Sequence, residues 1–394
     1  MQDAVLVAGA RTPIGRFLGG LAGFTAAELG AVAIREALAR AGLSGADVDA
    51  VLMGNVVQAG AGPNPARIAA VDAGVPMSAP ATTVNKLCLS GLATAAQAAQ
   101  LVALGQHDVV VAGGMESMSN APHLLRRVRK GLKFGAGDVL DALEVDALTC
   151  AFDEVPMGAA TDRYQAEFEL TRAEQDEFAA ESHARAARAT EDGLLADEIV
   201  PVEREGSSPV EQDEGIRAST TVERLATLKP AFSSSGTITA GSSSQLSDGA
   251  CALVVMSKRR AEELGVGWLA EIGAYGTVAG PDPSLLRQPA EAIRDAVRRD
   301  GELEVDGLDL VEINEAFAGV AIVSTRELKV APERVNVNGG AIALGHPVGM
   351  SGARLLLSQA HELRRRGGGT GAAALCGGGG QGDALLLRVP GAAN

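Results

Sequence analysis

The sequence is poor in aromatic residues and in basic charge, and each shortage limits the classes of protein to which the chain can belong. Aromatic residues make up only 3% of the 394 residues, so aliphatic and small side chains must fill the core. Forty-nine glycines in a chain that is 46% hydrophobic indicate tight turns and close backbone contacts rather than disorder. The formal net charge of −15 argues against a nucleic acid or an anionic membrane as partner, because both attract basic surfaces.

Long apolar runs and clustered cysteines are also lacking. No uninterrupted apolar stretch approaches the roughly 20 residues that a membrane-spanning helix needs, and no signal-like basic region precedes the first apolar run, "AVLVAGA". Cys88, Cys150, Cys251 and Cys376 have neither CxxC spacing nor the density of a disulfide scaffold. The histidines are equally dispersed, so no metal-ligand cluster is visible. We therefore expect a protein of the reducing cytoplasm with no bound metal.

The chain is organised as a weak internal repeat. Each half reads as alternating strands and helices, with a turn ending in Ser90-Gly91 in the first half and in Ser351-Gly352 in the second. Asn55 and Asn314 end corresponding strands. Such alternation predicts the α/β class, with mixed, mostly parallel sheets packed in layers with helices. A chance likeness between ordinary βαβ units is the alternative to a true repeat. Strands are predicted at 4–10, 50–57, 82–85, 108–114, 250–257, 268–276, 308–314, 334–338 and 371–376, and helices at 25–41, 289–300, 315–328 and 353–366, besides an alanine-rich helix after Gly91.

Residues 120–248 interrupt the repeat with a polar segment. It contains the basic run "RRVRKGLK" and a helical pattern whose start carries a capping box, formed by Thr171 and Glu174. We interpret the segment as an inserted lobe that overhangs a site built by the two halves. The predicted boundaries are 1–119 for the N-terminal half, completed by 249–267, then 120–248 for the inserted lobe and 268–394 for the C-terminal half.

Cys88 is the first candidate for chemistry, in "TTVNKLCLSGLAT". A helix that begins at about residue 90 directs its unpaired N–H groups toward the preceding turn. Their partial positive charge is expected to lower the pKa of the Cys88 thiol, and the same groups can bind an oxyanion. The alternative is an ordinary small buried cysteine.

His346 and Cys376 lie in two further glycine-rich turns. His346, in "NGGAIALGHPVGMSG", occupies the repeat position that corresponds to the Cys88 turn, and an imidazole there can accept the thiol proton. A lone histidine is otherwise structural or merely exposed. Cys376 begins "CGGGGQGDAL", whose glycines leave the backbone free to approach a substrate, although a flexible turn is the alternative. The segment lacks the Lys-Ser/Thr of a phosphate-binding P-loop.

Over nearly its whole length the sequence resembles the thiolase family, of the acetyl-CoA acetyltransferase type. The segments that carry the resemblance are "VAGARTPIGRF", "VNKLCLSGL", "VVAGGMESMSNAPHLL", "TITAGSSSQLSDGA", "EINEAFA", "NVNGGAIALGHPVGMSG" and "CGGGGQGDAL". The resemblance implies a thiolase-like fold with an inserted, CoA-binding loop domain.

The resemblance also assigns expected catalytic roles. Cys88 corresponds to the nucleophile that accepts the acyl group, and His346 to the histidine that activates it and lines an oxyanion hole. Asn314 corresponds to the asparagine that positions a water in that hole. Cys376 corresponds to the acid/base at the substrate α-carbon, and the amides of Cys88 and Gly378 would form the second oxyanion hole.

Substrate contacts follow from the same resemblance. Arg217 and Ser244 match positions that contact coenzyme A, and Met157 and Phe317 match residues near the acyl pocket. Coenzyme A thioesters would be substrates, with no separate cofactor. Because coenzyme A is anionic, local cations such as Arg217 and Lys229 are expected to bind it. We interpret the basic run "RRVRKGLK" as a solvated loop or subunit contact in preference to a direct phosphate clamp. A homotetramer is implied, with a homodimer as the alternative.

The leading functional hypothesis is reversible formation of acetoacetyl-CoA from acetyl-CoA, in fatty acid metabolism. A degradative 3-ketoacyl-CoA thiolase of β-oxidation, acting on longer chains, is the nearest alternative. An acyl-CoA-binding protein without turnover and a ketoacyl synthase acting on a carrier protein are the others. Leu89, Pro156 and Ser242 depart from common family residues and leave the chain-length preference open.

Overall fold

The computed structural model describes residues 3–204 and 206–391 and has mixed α/β architecture built on one large sheet, which confirms the predicted class. The strands are β1 (Ala4–Arg11), β2 (Gly15–Arg16), β3 (Ala50–Gly54), β4 (Ala81–Val84), β5 (Val109–Ser117), β6 (His123–Leu125), β7 (Val139–Asp141), β8 (Thr149–Cys150), β9 (Val155–Pro156), β10 (Val202–Arg204), β11 (Ser207–Val210), β12 (Ser247–Ser257), β13 (Ala270–Ala279), β14 (Leu310–Ile313), β15 (Gly369–Gly377) and β16 (Gln381–Val389). The helices are α1 (Ala26–Arg40), α2 (Pro65–Asp72), α3 (Ser90–Ala103), α4 (Met157–Tyr164), α5 (Arg172–Glu191), α6 (Val222–Ala226), α7 (Lys258–Leu264), α8 (Gln288–Asp300), α9 (Ala318–Leu328), α10 (Ala341–Leu344) and α11 (Ser351–Arg365).

The order of strands in the large sheet supports a true repeat. Read from one edge, the order is β4-β3-β5-β12-β1-β13-β16-β15-β14, with β2 paired to β12. The sequence of elements is therefore mirrored about the junction of β1 and β13, which pair only at Val5–Glu271 and Leu6–Ala270. Strand β3 corresponds to β14, β5 to β15 and β12 to β16, so that Asn55 and Asn314 follow equivalent strands, as predicted.

The prediction that the sheet is mostly parallel is wrong. Within the described ranges, parallel neighbours occur where β3 lies between β4 and β5 and where β14 lies beside β15. The other neighbours in the large sheet run antiparallel. A helical crossover imposes parallel pairing, but β15 and β16 form a tight hairpin and β12 returns only after the inserted lobe, so neither carries that constraint.

The predicted strand at 334–338 is also wrong, apart from one bridge between Val335 and Val311. Asn336 has a φ of 46°, in the left-handed region that a strand residue avoids. Its side chain takes over the role of a neighbouring strand by accepting from the Ile313 N–H and donating to the Ile313 carbonyl, each at 2.8 Å. In the first half β4 covers the edge of β3, whereas in the second half the Asn336 side chain covers the edge of the corresponding strand, β14.

Helices α3 and α11 form the centre of the molecule and pack on strands from both halves. Their first turns approach each other so closely that a Cβ on Gly91 would lie 2.9 Å from the Ala353 nitrogen, and one on Gly352 would overlap Leu92. The repeated Ser-Gly pairs of the sequence therefore mark the crossing of two buried helices. Helix α11 also buries several leucines, each of which stabilises the fold by roughly 1.5–3 kcal/mol relative to exposure.

The segment between β5 and β12 forms small two-stranded sheets and the helices α4 to α6. The predicted capping box at the start of α5 is confirmed, since the Thr171 hydroxyl accepts from the Glu174 N–H at 3.2 Å. Buried Arg11 ties the segment to β1 through Asp213 at 2.7 Å and Glu198 at 2.8 Å. Loss of one partner of such a buried pair costs about 3–5 kcal/mol. The domain boundaries themselves stay a prediction.

None of the helices in residues 3–204 and 206–391 has both the length and the apolar character needed to cross a bilayer.

Candidate active site

Cys88 lies in the turn between β4 and α3, just before the helix begins at Ser90, as predicted. The turn is sharp, because Leu87 has a φ of 52° in the left-handed region. Local side chains hold it in place. The Asn85 side-chain oxygen accepts from the Leu87 N–H at 3.0 Å, and the Ser90 hydroxyl accepts from the Lys86 N–H at 2.8 Å. The thiol is thus presented by a turn that its neighbours fix rather than by a mobile loop.

The expected lowering of the Cys88 pKa is not observed. Burial raises the pKa of the thiol to about 12, and the nearby carboxylate of Glu116 acts in the same direction. Hydrogen bonds from backbone N–H groups lower the pKa but do not outweigh burial. The cysteine is therefore a thiol, not a thiolate, in the free protein near neutral pH.

Two backbone N–H groups, of Cys88 itself and of Gly378, lie near enough to the Cys88 sulfur to lower the pKa of its thiol. Gly378 lies in the hairpin between β15 and β16, and a Cβ there would overlap the Met157 side chain and lie 2.8 Å from Leu87. The absence of a side chain therefore lets this amide approach the sulfur. Two N–H groups aimed at one point can stabilise an oxyanion that develops beside the sulfur.

Cys376 is buried near the end of β15, opposite Gly382 of β16. Its pKa is raised by burial first and then by the proximity of Cys88. The two cysteines predicted to act together therefore come from segments that pack on each other, since a Cβ on Gly377, next to Cys376, would lie 2.7 Å from Leu89, next to Cys88.

His346 is buried, and both its ring nitrogens have polar neighbours. The Ser351 hydroxyl donates to the Pro347 carbonyl at 3.0 Å and lies 2.6 Å from His346 Nδ1, which assigns the ring proton to Nδ1. Nε2 is then the unprotonated ring nitrogen and accepts a hydrogen bond from the Asn314 amide nitrogen at 3.3 Å. Burial, and secondarily the charge of Arg354, lowers the pKa of His346 to about 3. The imidazole is therefore neutral in the free protein near neutral pH.

Asn314 follows β14, and its backbone N–H donates to the Ala374 carbonyl of β15 at 3.0 Å. Its side-chain oxygen is buried and has no hydrogen-bond partner among the described residues. A buried amide oxygen of this kind normally binds an ordered water. The side chain thus has one group beside His346 and a second group available for a water.

Met157 and Phe317 lie on the apolar side of the site. Met157 starts α4 and contacts the Gly378 turn. Phe317 and Cys376 belong to one buried apolar cluster, and Phe317 packs edge-to-face on Phe232 with ring centroids 6.0 Å apart. An apolar cavity opens beside this turn, lined by Cys150, Met157, Ala160, Thr161, Tyr164, Pro283, Leu285, Gly378 and Gly379.

Ser244 lies beside the same elements. Its backbone N–H donates to the Ala316 carbonyl at 3.0 Å, next to Phe317. The following residue, Gln245, accepts from the His346 N–H at 3.0 Å through its carbonyl oxygen. Ser244 is therefore one residue from a direct contact with the histidine turn.

Arg217 is more distant, on the exposed surface of the inserted lobe. Its backbone N–H donates to His183 Nδ1 at 3.2 Å. Its segment is joined to the histidine turn indirectly, because the Gln245 side chain donates to the Gly215 carbonyl at 3.0 Å. Lys229 is exposed on the same lobe. The structure thus groups Cys88, Cys376, Gly378 and Met157, pairs His346 with Asn314, and leaves Arg217 at the surface.

One ion pair near the site was not predicted. Lys86, two residues before Cys88, donates to both oxygens of buried Asp383 on β16, at 2.7 and 2.9 Å. Tyr275 and Thr277 of β13 also contact the ammonium group, at 3.2 and 3.1 Å. The only signal in the sequence is the presence of Lys86 and Asp383 in two of the quoted motifs.

Glu116, at the end of β5, was also overlooked. It is completely buried, and burial raises its pKa to about 7, against hydrogen bonds from backbone N–H groups that lower it. Its charge acts on the Cys88 thiol. The quoted segment "VVAGGMESMSNAPHLL" contains it, but no periodicity marks a buried glutamate.

The three unusual residues occupy different environments. Leu89 is buried against Gly377, where a Cβ would lie 2.7 Å from it. Pro156 is exposed at the start of α4. The Ser242 hydroxyl is buried and accepts from the Thr239 N–H at 2.9 Å. Leu89 therefore lies against β15, the strand that carries Cys376, whereas Pro156 is exposed to solvent.

Two family models match most of the chain. A family model described as "Thiolase, N-terminal domain" matches residues 4–259, and one described as "Thiolase, C-terminal domain" matches residues 266–389.

Several relatives match over nearly their full length. A protein named probable acetyl-CoA acetyltransferase from Mycolicibacterium smegmatis is 58% identical over 389 residues, which cover 98% of this chain and 100% of the relative. An acetyl-CoA acetyltransferase of Pseudomonas aeruginosa is 47% identical, with 98% and 99% covered. A probable acetyl-CoA acyltransferase of Staphylococcus aureus is 44% identical, with 92% and 93% covered.

Proposed function

Because the chain belongs to the thiolase family of acyltransferases, we propose that it condenses two molecules of acetyl-CoA reversibly into acetoacetyl-CoA and CoA. The intermediate would be an acetyl thioester on Cys88. Two relatives, one named probable acetyl-CoA acetyltransferase at 58% identity and one named acetyl-CoA acetyltransferase at 47%, support the choice of the two-carbon substrate.

The observation that carries the proposal is that the hairpin that follows Cys376 packs on the turn that carries Cys88, at Leu87 and Leu89. A single activated cysteine suffices for acyl transfer, but carbon–carbon bond formation also needs a base for the α-carbon of a second thioester. Cys376 neighbours Cys88, and the Gly378 amide reaches the Cys88 sulfur from the same hairpin.

The proposed first half-reaction acylates Cys88. His346 Nε2 takes the thiol proton while the sulfur attacks the acetyl-CoA carbonyl, so no thiolate need exist beforehand. The N–H groups of Cys88 and Gly378 stabilise the oxyanion of the tetrahedral intermediate. When the intermediate collapses, the bond to the CoA sulfur breaks, and the CoA thiolate takes a proton from Cys376. Cys376 is then a thiolate beside a positively charged His346.

The proposed second half-reaction forms the carbon–carbon bond. The Cys376 thiolate removes a proton from the methyl group of a second acetyl-CoA, and the negative charge moves to the thioester oxygen. The His346 imidazolium and a water held by Asn314 stabilise this enolate. Its carbon attacks the acetyl group on Cys88, the bond to Cys88 breaks, and the departing sulfur regains its proton from His346. Protons and charges balance over the cycle.

We further propose that the chemistry needs no cofactor, because thiol, imidazole and amide groups of the chain perform every step. The CoA moiety would bind against the inserted lobe, with Ser244 near the histidine turn and Arg217 and Lys229 supplying positive charge. This positive charge is local, since the whole chain carries a net charge of −15.

Two measurements test the proposal. Incubation with acetyl-CoA alone, followed by peptide mass spectrometry, is expected to find acetyl on the peptide that contains Cys88. Acetyl found only on Cys150 or Cys251 contradicts the assignment. Steady-state thiolysis is expected to be faster with acetoacetyl-CoA than with longer 3-ketoacyl-CoAs, and the reverse preference would instead indicate a degradative enzyme for longer chains.

A further inference from the structure

The turn that carries His346 inserts into the N-terminal half of the molecule. The carbonyl oxygen of Gly349, three residues after the histidine, lies against three glycines. A Cβ on Gly54 would lie 2.7 Å from this oxygen and one on Gly91 2.9 Å from it, while one on Gly114 would overlap it. These glycines belong to β3, α3 and β5, so the Gly349 peptide fills a space that the N-terminal half leaves free of side chains.

Glu116 holds the N–H of the same residue, Gly349, through the preceding peptide. Its Oε2 accepts from the Gly349 N–H at 2.9 Å and from the Val56 N–H at 3.0 Å. Its Oε1 accepts from the Asn55 amide nitrogen at 2.7 Å and from the Val57 N–H at 3.1 Å. Four N–H donors therefore converge on one buried carboxylate, three from the N-terminal half and one from the histidine turn.

We propose that Glu116 is a positioning residue for the reaction, which fixes the histidine turn relative to Cys88 through the Gly349 N–H. The polar contacts of the imidazole itself, with Ser351 and Asn314, come from the C-terminal half. Cys88 belongs to the N-terminal half. Glu116 joins the two halves where the base must meet the nucleophile, and this role rests on the proposed function.

Glu116→Gln is the sharpest test, because it keeps the shape of the side chain and replaces one acceptor oxygen by a donor. An amide NH₂ group then faces N–H donors and can no longer hold all four. The expected result is a kcat that falls roughly 10- to 100-fold, since displacements near 1 Å have effects of that size. The KM for acetoacetyl-CoA is expected to change by less than about threefold, because CoA binding lies elsewhere. Rates are expressed per Cys88 site titrated with acetyl-CoA, which acylates folded protein only, so that unfolded chains do not enter.

Glu198→Gln is the matched control. Glu198 is also buried and hydrogen-bonded, but to Arg11 and Ser358, away from the histidine turn. It is expected to lower stability and leave the rate per titrated site within about twofold of the wild type. If Glu116→Gln does not fold, Gly114→Ala displaces the Gly349 carbonyl without touching the carboxylate, because the nearest atoms to its Cβ belong to Gly349 and Met350, and it is expected to give the same kcat-specific loss.

The outcomes separate this proposal from the proposed function. A wild type that neither forms acetyl-Cys88 nor turns over any 3-ketoacyl-CoA refutes the function. A crystal structure of Glu116→Gln then still decides the role of Glu116, because it shows whether the 346–350 turn moves relative to Cys88. An unmoved turn, or an active wild type beside a Glu116→Gln protein of equal rate per site, overturns the proposal.

Discussion

At the scale of single residues, the candidate catalytic groups are uncharged in the free protein. Burial raises the pKa of Cys88 to about 12 and lowers that of His346 to about 3. A thiolate–imidazolium pair, which many cysteine enzymes hold in advance, is therefore disfavoured before a substrate arrives. Proton transfer from Cys88 to His346 is expected to accompany attack on the thioester rather than to precede it.

The pH dependence of Cys88 alkylation tests this neutral state. Because the thiol pKa is raised, the thiolate becomes abundant only as the pH approaches about 12, and its fraction grows about tenfold per pH unit below that value. The rate of Cys88 carbamidomethylation by iodoacetamide, followed by peptide mass spectrometry without substrate, is expected to rise from about pH 7 to pH 10 without a plateau. Cys88→Ser gives the background from the other cysteines. A rate independent of pH below about pH 8 would instead reveal a preformed ion pair.

Replacement of Cys376 by serine separates the two half-reactions. A serine hydroxyl is a far weaker acid, so its alkoxide is not available to remove an α-proton, and condensation is expected to fall by at least about 100-fold. Acetylation of Cys88 is expected to fall much less, because a departing CoA thiolate can take its proton from water. Both steps are measured by mass spectrometry of acetyl-Cys88 and by acetoacetyl-CoA formation. Cys251→Ser, in buried strand β12, is the control, and equal loss of both steps in Cys376→Ser would refute the division of roles.

At the scale of elements, the nucleophile turn is held by contacts from the opposite half. Lys86 reaches across to Asp383 of β16 and to Tyr275 and Thr277 of β13. Asp383 is fully buried, whereas Lys86 keeps about a quarter of its side chain exposed. The pair therefore anchors the start of α3 to β16, the neighbour of the strand that carries Cys376.

Lys86→Met is expected to leave Asp383 as a buried charge without its cation. The free energy of unfolding is expected to fall by up to about 3 kcal/mol, measured by urea denaturation with the fluorescence of the single tryptophan, Trp268. The double variant Lys86→Met/Asp383→Asn removes the uncompensated charge and is expected to regain part of that loss. A Lys86→Met protein as stable as the wild type would show that the pair contributes little, and equal stability of the single and double variants would show that the uncompensated charge is not the cause of the loss.

At the scale of the whole molecule, the sequence predicts what depends on local pattern and misses what depends on burial. Cys88 before a helix and the capping box at Thr171 were predictable, because helix starts have local chemistry. The repeat was visible because Ser-Gly recurs where two buried helices cross. The sign of the Cys88 pKa shift was wrong, since the sequence shows a helix start but not the burial that outweighs it.

The remaining differences concern pairing and charge across the chain. Antiparallel pairing of β12 with β1 and β5 joins segments more than a hundred residues apart, which no local periodicity encodes. The roles of Glu116 and Lys86 likewise depend on partners far along the chain, at Gly349 and Asp383. Such residues lie within recognisable motifs, but the motif does not indicate which of its members are buried.

The mirrored sheet, whose halves meet at the two-residue pairing of β1 with β13, has a consequence for the number of acyl groups that one chain can carry. A duplicated fold could offer two equivalent reaction centres, one per copy. Here the two halves differ at the corresponding turn, which carries Cys88 in the N-terminal half and His346 in the C-terminal half. The two turns meet where the halves pack together. Each polypeptide is therefore expected to carry one acyl group at saturation. A mutation that disrupts the turn in either half is expected to inactivate the chain, because no second reaction centre is present.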